Sequence, residues 1–368
     1  MRFLFSLCLV TLAGPVGLGQ TQPSTPSKSQ MQIELDQKAP VLLKQFDVPS
    51  VAVAYIRDGK IDWTAVYGEQ SPGVPATAQT LYNVASLTKP ISAEVILHLA
   101  SKGLISLDEP ISAYWIDPDV KNNPWNALLT PRLCLSHQTG FTNWRYQTNN
   151  VLTFQWEPGT RFGYSGEGYN YVARFAEKKM QQPFEALAQT YVFDPIGMKD
   201  TAYTTRDWYQ GRLAFGHTAK GEVDSKAPSN FNAADQLRTT IHDYAAFVVS
   251  VMHDQGLTKP IAAQRLTLTR DQVNPKEKEI FCPLTKSASP NCELTAGMGL
   301  GWQILDIDGE KIIDHSGSDP GAHSLAFFLP QSERGAVIFT NGENGEKVIH
   351  DVVAILYPNK AYLATLQH

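Results

Sequence analysis

Ser86-Leu87-Thr88-Lys89 sets a hydroxyl and an amine three residues apart, and Ser86 is the one serine in the chain with lysine at that spacing. A serine hydroxyl becomes a useful nucleophile only when a neighbour takes its proton, and a desolvated lysine can do so. Ser-x-x-Lys is a weak motif alone, since roughly one or two matches arise by chance in a chain this long. Two other segments carry compatible chemistry. Glu157-Pro158-Gly159-Thr160-Arg161-Phe162-Gly163-Tyr164-Ser165-Gly166 puts Tyr164 in a glycine-rich loop, and Asp314-His315-Ser316-Gly317-Ser318 ends an apolar run in small residues. Small residues let backbone approach a substrate closely, and a strand N–H can then meet a developing oxyanion.

The elements that must position these groups follow from periodicity. Apolar residues from Ile91 to Lys102 make a helix that Ser86 and Lys89 open, so both side chains share one face. The helix N-terminus adds N–H groups and positive potential beside the hydroxyl. The competing reading is a helix start with a serine cap and a solvated lysine. Helical patterns recur at Gln32–Phe46, Pro131–His137, Tyr169–Met180, Pro183–Val192, Ile241–Asp254 and Glu346–Leu356. Strand-like runs lie at both ends: Ser50–Ile56 and Lys60–Tyr67 around an Asp58-Gly59 turn, then Met298–Leu305, Lys311–His315, Ser324–Leu329 and Ala336–Thr340. The expected fold is α/β (α+β): an antiparallel sheet from about 31–85 and 297–368, with a mostly helical region, about 86–296, inserted between its halves.

Composition narrows the function. The 368 residues are 43% hydrophobic and 18% charged, enough to bury a core without staples. A net charge of −5 and the lack of any basic run exclude a nucleic-acid partner. Residues 1–19 read as an export signal, with Arg2 ahead of the apolar stretch Phe3–Val16 and small residues Gly17 and Gly19 at its end. That stretch is shorter than the ~20 apolar residues a membrane span needs, so no transmembrane anchor is expected. Residues 20–30 read as a disordered lead, and the expectation is a periplasmic or secreted protein. In an oxidising compartment Cys282 and Cys292 could close the Pro/Ser/Asn-rich stretch between them, a short loop of little consequence for activity, while Cys134 reads as a buried thiol.

With these motifs assembled, the sequence resembles the serine β-lactamase and penicillin-binding-protein superfamily, in the branch holding class C β-lactamases, D-amino-acid peptidases and related esterases. Leu135–Phe141, Pro158–Phe162, Pro195-Ile196-Gly197-Met198 and Gly299-Leu300-Gly301-Trp302 carry the resemblance along the chain from about Gln32 to its end. It implies that Ser86 is acylated, that Lys89 accepts its proton, and that Tyr164 protonates the leaving group. The backbone N–H groups of Ser86 and Ser318 would form the oxyanion hole, and His315, Ser316, Gly317 and Gly166 would meet substrate. No cofactor or metal is implied. His137 would be a packed histidine under the site.

Two positions depart from the lactamase pattern. Gly166 stands where an asparagine contacts the acylamido group, and His315 stands where a lysine holds the substrate carboxylate. His315, with an ordinary pKa near ~6.5, is expected to be a weak anion anchor that gains a proton toward pH ~5. Together these favour an esterase or peptidase acting on a small or peptide-like acyl substrate over an efficient β-lactamase or a D-alanyl-D-alanine carboxypeptidase. Trp144, Tyr146, Trp208 and Trp302 are further candidates to line the site. Rival chemistries lack their motifs. There is no Gly-x-Ser-x-Gly elbow, since Gly163-Tyr164-Ser165-Gly166-Glu167 fails at its last position, and no His-Glu-x-x-His. A non-catalytic binder would be expected to have lost Ser86, Lys89 or Tyr164.

Overall fold

The computed structural model describes residues 29–367 except 222, 225–227, 229, 274 and 286–291. The leader expected at 1–19 lies outside these residues, as does the lead up to residue 28. Helix α1 runs Gln30–Phe46, so the last residue of the expected lead is helical, with Ser29 capping it through a bond from the Gln32 amide.

One eight-stranded antiparallel sheet draws on both ends of the chain. Its strands are β1 Ser50–Arg57, β2 Lys60–Ser71, β3 Val74–Pro75, β4 Leu294–Met298, β5 Gln303–Ile307, β6 Glu310–Asp319, β7 Ala322–Leu329 and β8 Arg334–Thr340, ordered β3-β2-β1-β8-β7-β6-β5-β4. Asp58 and Gly59 turn β1 into β2 with φ of 52° and 65°, the left-handed pair a two-residue hairpin requires. β1 is buried along nearly all its length, because helices cover both sheet faces. Its period of two sorts side chains between two cores. Val51, Val53 and Tyr55 join α1 and the helix Gly345–Leu356, whereas Ala52, Ala54 and Ile56 join the helical middle of the chain.

That middle supplies α2 Thr88–Ser101, α3 Gly166–Met180 and α4 Ile241–Met252. Every α2 residue from Thr88 to Leu99 is buried, so this is a core helix with no solvated face. The expected single strand Met298–Leu305 is instead two strands meeting at a tight turn. The Gly299 amide donates to Trp302 O, and Gly301 at φ 94° has no Cβ to collide with that of Ala93 on α2. The expected helix Pro183–Val192 stops at Ala188 and widens into a π-turn, Gln189–Phe193.

Candidate active site

Ser86 occupies a single 3₁₀ turn, Ala85–Leu87, that feeds α2. Ala85 there has φ 45°, a left-handed conformation that costs a non-glycine residue roughly 1–3 kcal/mol and must be held by its surroundings. Asn83 Oδ1 accepts the Ala85 amide at 3.0 Å, and the Thr88 hydroxyl donates to Ala85 O at 2.6 Å. The turn presents Ser86 to a cavity of about 550 Å³.

Lys89 is wholly buried, which rules out the solvated lysine of the competing reading. Its Nζ donates to Ser86 Oγ at 2.9 Å and to Ala234 O at 3.0 Å. It also lies 4.8 Å from the centre of the Tyr164 ring. Tyr164 is the last residue but one before α3, and Ser165 caps that helix by accepting the Gly168 amide at 3.1 Å. The Tyr164 ring also stacks on His137, centroids 4.2 Å apart. His137 Nδ1 accepts the Ser165 amide at 3.0 Å, and burial with nearby Lys89 holds its pKa well below the ordinary value. A neutral imidazole thus forms the shelf that positions Tyr164, consistent with a packed rather than reacting His137.

β6 forms the opposite wall. Its pairing with β5 ends at Asp314↔Gln303, so from His315 to Asp319 that edge meets no strand among the described residues. His315, Gly317 and Asp319 share one face of the strand by its period of two. A Cβ on Gly317 would lie 2.9 Å from the Ser86 amide nitrogen, so glycine is what allows the two backbones to meet. Ser316 and Ser318 are exposed and line the cavity.

His315 differs from expectation. Burial, followed by the charge of Lys89, lowers its pKa to about 3, so it does not gain a proton near pH ~5 as its ordinary value suggests. Its Nδ1 is 2.7 Å from Ser316 O, which can only accept, so the ring proton sits on Nδ1 and Nε2 is a lone-pair acceptor.

At Gly166 the space an asparagine would need is filled. A Cβ there would fall 2.5–2.9 Å from Trp144 ring atoms. Trp144 does line the cavity, Trp302 is wholly buried in the core, Tyr146 is exposed, and Trp208 packs on Tyr209 and Arg212 outside the cavity. Sequence reasoning missed several cavity residues, Asn143, Asp235 and Asp319 among them. Asn143 accepts the Gly166 amide through Oδ1 at 2.8 Å, leaving its Nδ2 without a partner among the described residues. Asp319 accepts Asn83 Nδ2 at 2.8 Å, and burial followed by the nearby Asp319 charge raises Asp235 to about 7. The period of two from His315 and Gly317 was enough to find Asp319. Asp235 and Asn143 come from loops, and no pattern marked them.

Cys282 and Cys292 are disulfide-bonded, and Cys134 is a buried free thiol. Phe281 and Leu294, close to the two bonded cysteines, line the cavity, so the bridge bears on the site more than its short loop suggested.

The β-lactamase family model matches residues 35–357, and the chain belongs to that family of serine hydrolases. It is 24% identical over 345 residues to a β-lactamase of Escherichia coli K12, covering 82% of this chain and 86% of the relative. Among solved structures, a penicillin-binding protein homologue from Pyrococcus abyssi superposes with a TM-score of 0.72 at 19% identity, covering 90% of this chain and 78% of that one. The D-alanine carboxypeptidase AmpC from Burkholderia cenocepacia gives 0.69 at 20% identity over 88% and 98%. These structures share the α/β fold with its large antiparallel sheet.

Proposed function

We propose that the protein cleaves an ester or amide through a covalent acyl-enzyme on Ser86. The observation that carries this reading is the 2.9 Å hydrogen bond from the buried Lys89 Nζ to the Oγ of Ser86, which lines the cavity. Ser86 Oγ attacks the carbonyl carbon as its proton passes to Lys89. The Ser86 and Ser318 amides receive the oxyanion, a contribution that mutagenesis elsewhere places at ~10²–10³ in rate per donor. Tyr164, close to Lys89 and stacked on His137, delivers a proton to the departing alcohol or amine as the scissile bond breaks and takes back the one that Lys89 received from Ser86. Water then attacks the Ser86 ester and releases the acid.

The substrate side of the site favours an esterase or peptidase over a β-lactamase. Gly166 offers no carboxamide, and neutral His315 with an acceptor Nε2 gives a carboxylate no cation to bind. The Cys282–Cys292 disulfide supports export to an oxidising compartment, periplasmic or extracellular. No helix among the described residues is long and apolar enough to cross a membrane. The test is fluorophosphonate labelling mapped to the Ser86 peptide, followed by a panel of p-nitrophenyl esters, amino-acid amides and a chromogenic cephalosporin. Absence of labelling would overturn the reading. Cephalosporin turnover equal to that of the esters would make β-lactamase the better description.

A further inference from the structure

The cavity beside Ser86 continues well past the nucleophile along one face of the sheet. Pairing sets Gln303 opposite both Asp314 of β6 and Met298 of β4, and Leu305 opposite Ala296. Cross-strand partners share a face, and so do alternate residues of one strand. Ser316 and Ser318 therefore face the same way as Gln303, Leu305, Ala296 and Met298, and all six line the cavity. The helix Lys360–Thr365 lies over this face, where Tyr362 OH donates to Asp314 Oδ2 at 3.0 Å and Thr365 adds to the lining. Crossing from β6 to β4 takes two interstrand spacings, about 10 Å. The cavity is thus a trough that begins at Ser318 and ends on β4.

Its far end is apolar and uncharged. Leu294, Leu305, Phe281 and Val273 line it beside the Cys282–Cys292 bridge. The polar groups there are the neutral side chains of Gln272, Gln303 and Thr365. No lysine or arginine is among the described residues that line the cavity. Its carboxyl groups, Asp235 and Asp319, belong to the other end, where Asp319 accepts Asn83 Nδ2.

Direction along β6 decides which part of a substrate enters. Tyr164, the proton donor to the leaving group, stands beside His315, ring centroids 6.2 Å apart, and Asp319 lies the other way along the strand. From Ser318, whose amide meets the oxyanion, the trough runs past Ser316 in the direction of His315, because Gln303 pairs with Asp314. It therefore opens on the leaving-group side of Ser86. A leaving group that carried a carboxylate would find no cation there, whereas an alkyl chain would bury methylenes against Leu294, Leu305 and Phe281.

We propose that this trough binds the leaving group, and that the preferred substrates are esters or amides whose alcohol or amine part is a long, uncharged alkyl chain. The proposal rests on the serine-hydrolase reading above and names its substrate class.

The experiment holds the acyl part constant and follows acetate release from ethyl, butyl, hexyl and octyl acetate. Burial of the chain predicts that kcat/KM rises about two- to fourfold per added methylene until the trough is filled. The mirror series of ethyl butanoate, hexanoate and octanoate lengthens the acyl part instead, and it should rise less per methylene. The acetate ester of 6-hydroxyhexanoate, which ends in a carboxylate, should be cleaved about tenfold or more slowly than hexyl acetate. Ala296→Phe, which narrows the trough, should lower the octyl-to-ethyl ratio in protein that fluorophosphonate still labels. A flat alcohol series, a steeper acyl series, equal cleavage of the carboxylate ester, or an unchanged ratio in labelled Ala296→Phe would overturn the alkyl subsite and leave the serine hydrolase standing. Wild-type protein that fluorophosphonate does not label would overturn both.

Discussion

Gly317 and Ser86 lie so close that one added methyl group would bring them into collision. A Cβ on Gly317 would stand 2.9 Å from the Ser86 amide nitrogen and would also overlap Val84 O. Neither neighbour is a flexible side-chain end, so the strand or the nucleophile turn must move. Gly317→Ala should therefore slow acylation about a hundredfold or more, the scale of a lost oxyanion donor. Fluorophosphonate labelling rates report this directly, and rates near the wild type would show that the contact does not set oxyanion geometry.

Ser86→Ala should abolish labelling and turnover while the melting temperature changes little, because Ser86 is only half-buried. Lys89 needs two substitutions to separate its roles. Lys89→Ala should cost several orders of magnitude in rate, since members of a coupled catalytic unit are not additive, and it should also lower stability by leaving a void and an unpaired Ala234 O. Lys89→Met refills the volume, so it should melt above the alanine variant yet stay as inactive. Activity retained by Lys89→Met would reassign the proton acceptor.

The residues proposed as nucleophile and base were legible in the sequence because they sit on short, regular pieces. Ser86 and Lys89 are three residues apart at a helix start, and β6 sets His315 and Gly317 by a period of two that also reaches the missed Asp319. What the sequence withheld depends on tertiary approach. Nothing local says that the Trp144 ring fills the space beside Gly166, that His137 stacks on Tyr164, or that a loop delivers Asp235 to Asp319. The misread strand at 298–305 has the same origin, since apolar pattern continues through a turn that exists to let Gly301 reach α2.

The crowding at Gly166 changes what a restored asparagine would do. Gly166→Asn alone pushes against Trp144 ring atoms at 2.5–2.9 Å, and overpacking of this kind costs about 1–3 kcal/mol. It should lower the melting temperature without raising cephalosporin turnover. Pairing it with Trp144→Ala should recover stability and raise cephalosporin turnover relative to esters. A gain from Gly166→Asn by itself would mean that Trp144 swings aside at little cost.

Breaking the Cys282–Cys292 bond should affect substrate binding as well as stability. The bridge closes a loop with sequence separation 10, worth at most about 3 kcal/mol in the chain-entropy picture. Phe281 and Leu294 beside it line the cavity, so the Cys282→Ser/Cys292→Ser variant should show raised KM with kcat nearly preserved. An unchanged KM would return the bridge to a purely local role.

Asp314 and His315 are adjacent on β6, face opposite sides of the sheet, and are both driven toward their neutral forms. Burial raises Asp314 to about 7, and although Tyr362 OH donates to its Oδ2 at 3.0 Å, its Oδ1 is buried without a partner. Burial and Lys89 lower His315 to about 3. Between about pH 4 and 6.5 the unfolded chain protonates His315 while the folded chain does not, so this residue makes stability fall as the solution is acidified. Over much the same range the folded chain keeps Asp314 protonated while the unfolded chain releases that proton, so this residue makes stability fall as pH rises. The two slopes, each up to about 1.4 kcal/mol per pH unit, oppose one another. Asp314→Asn should therefore expose the histidine, and its melting temperature should drop more steeply than wild type from about pH 6.5 to 4. His315→Gln should do the reverse and lose stability more steeply than wild type as pH rises from about 4 to 7. Melting curves for the three proteins that run parallel across that range would show that neither group is held neutral in the folded protein.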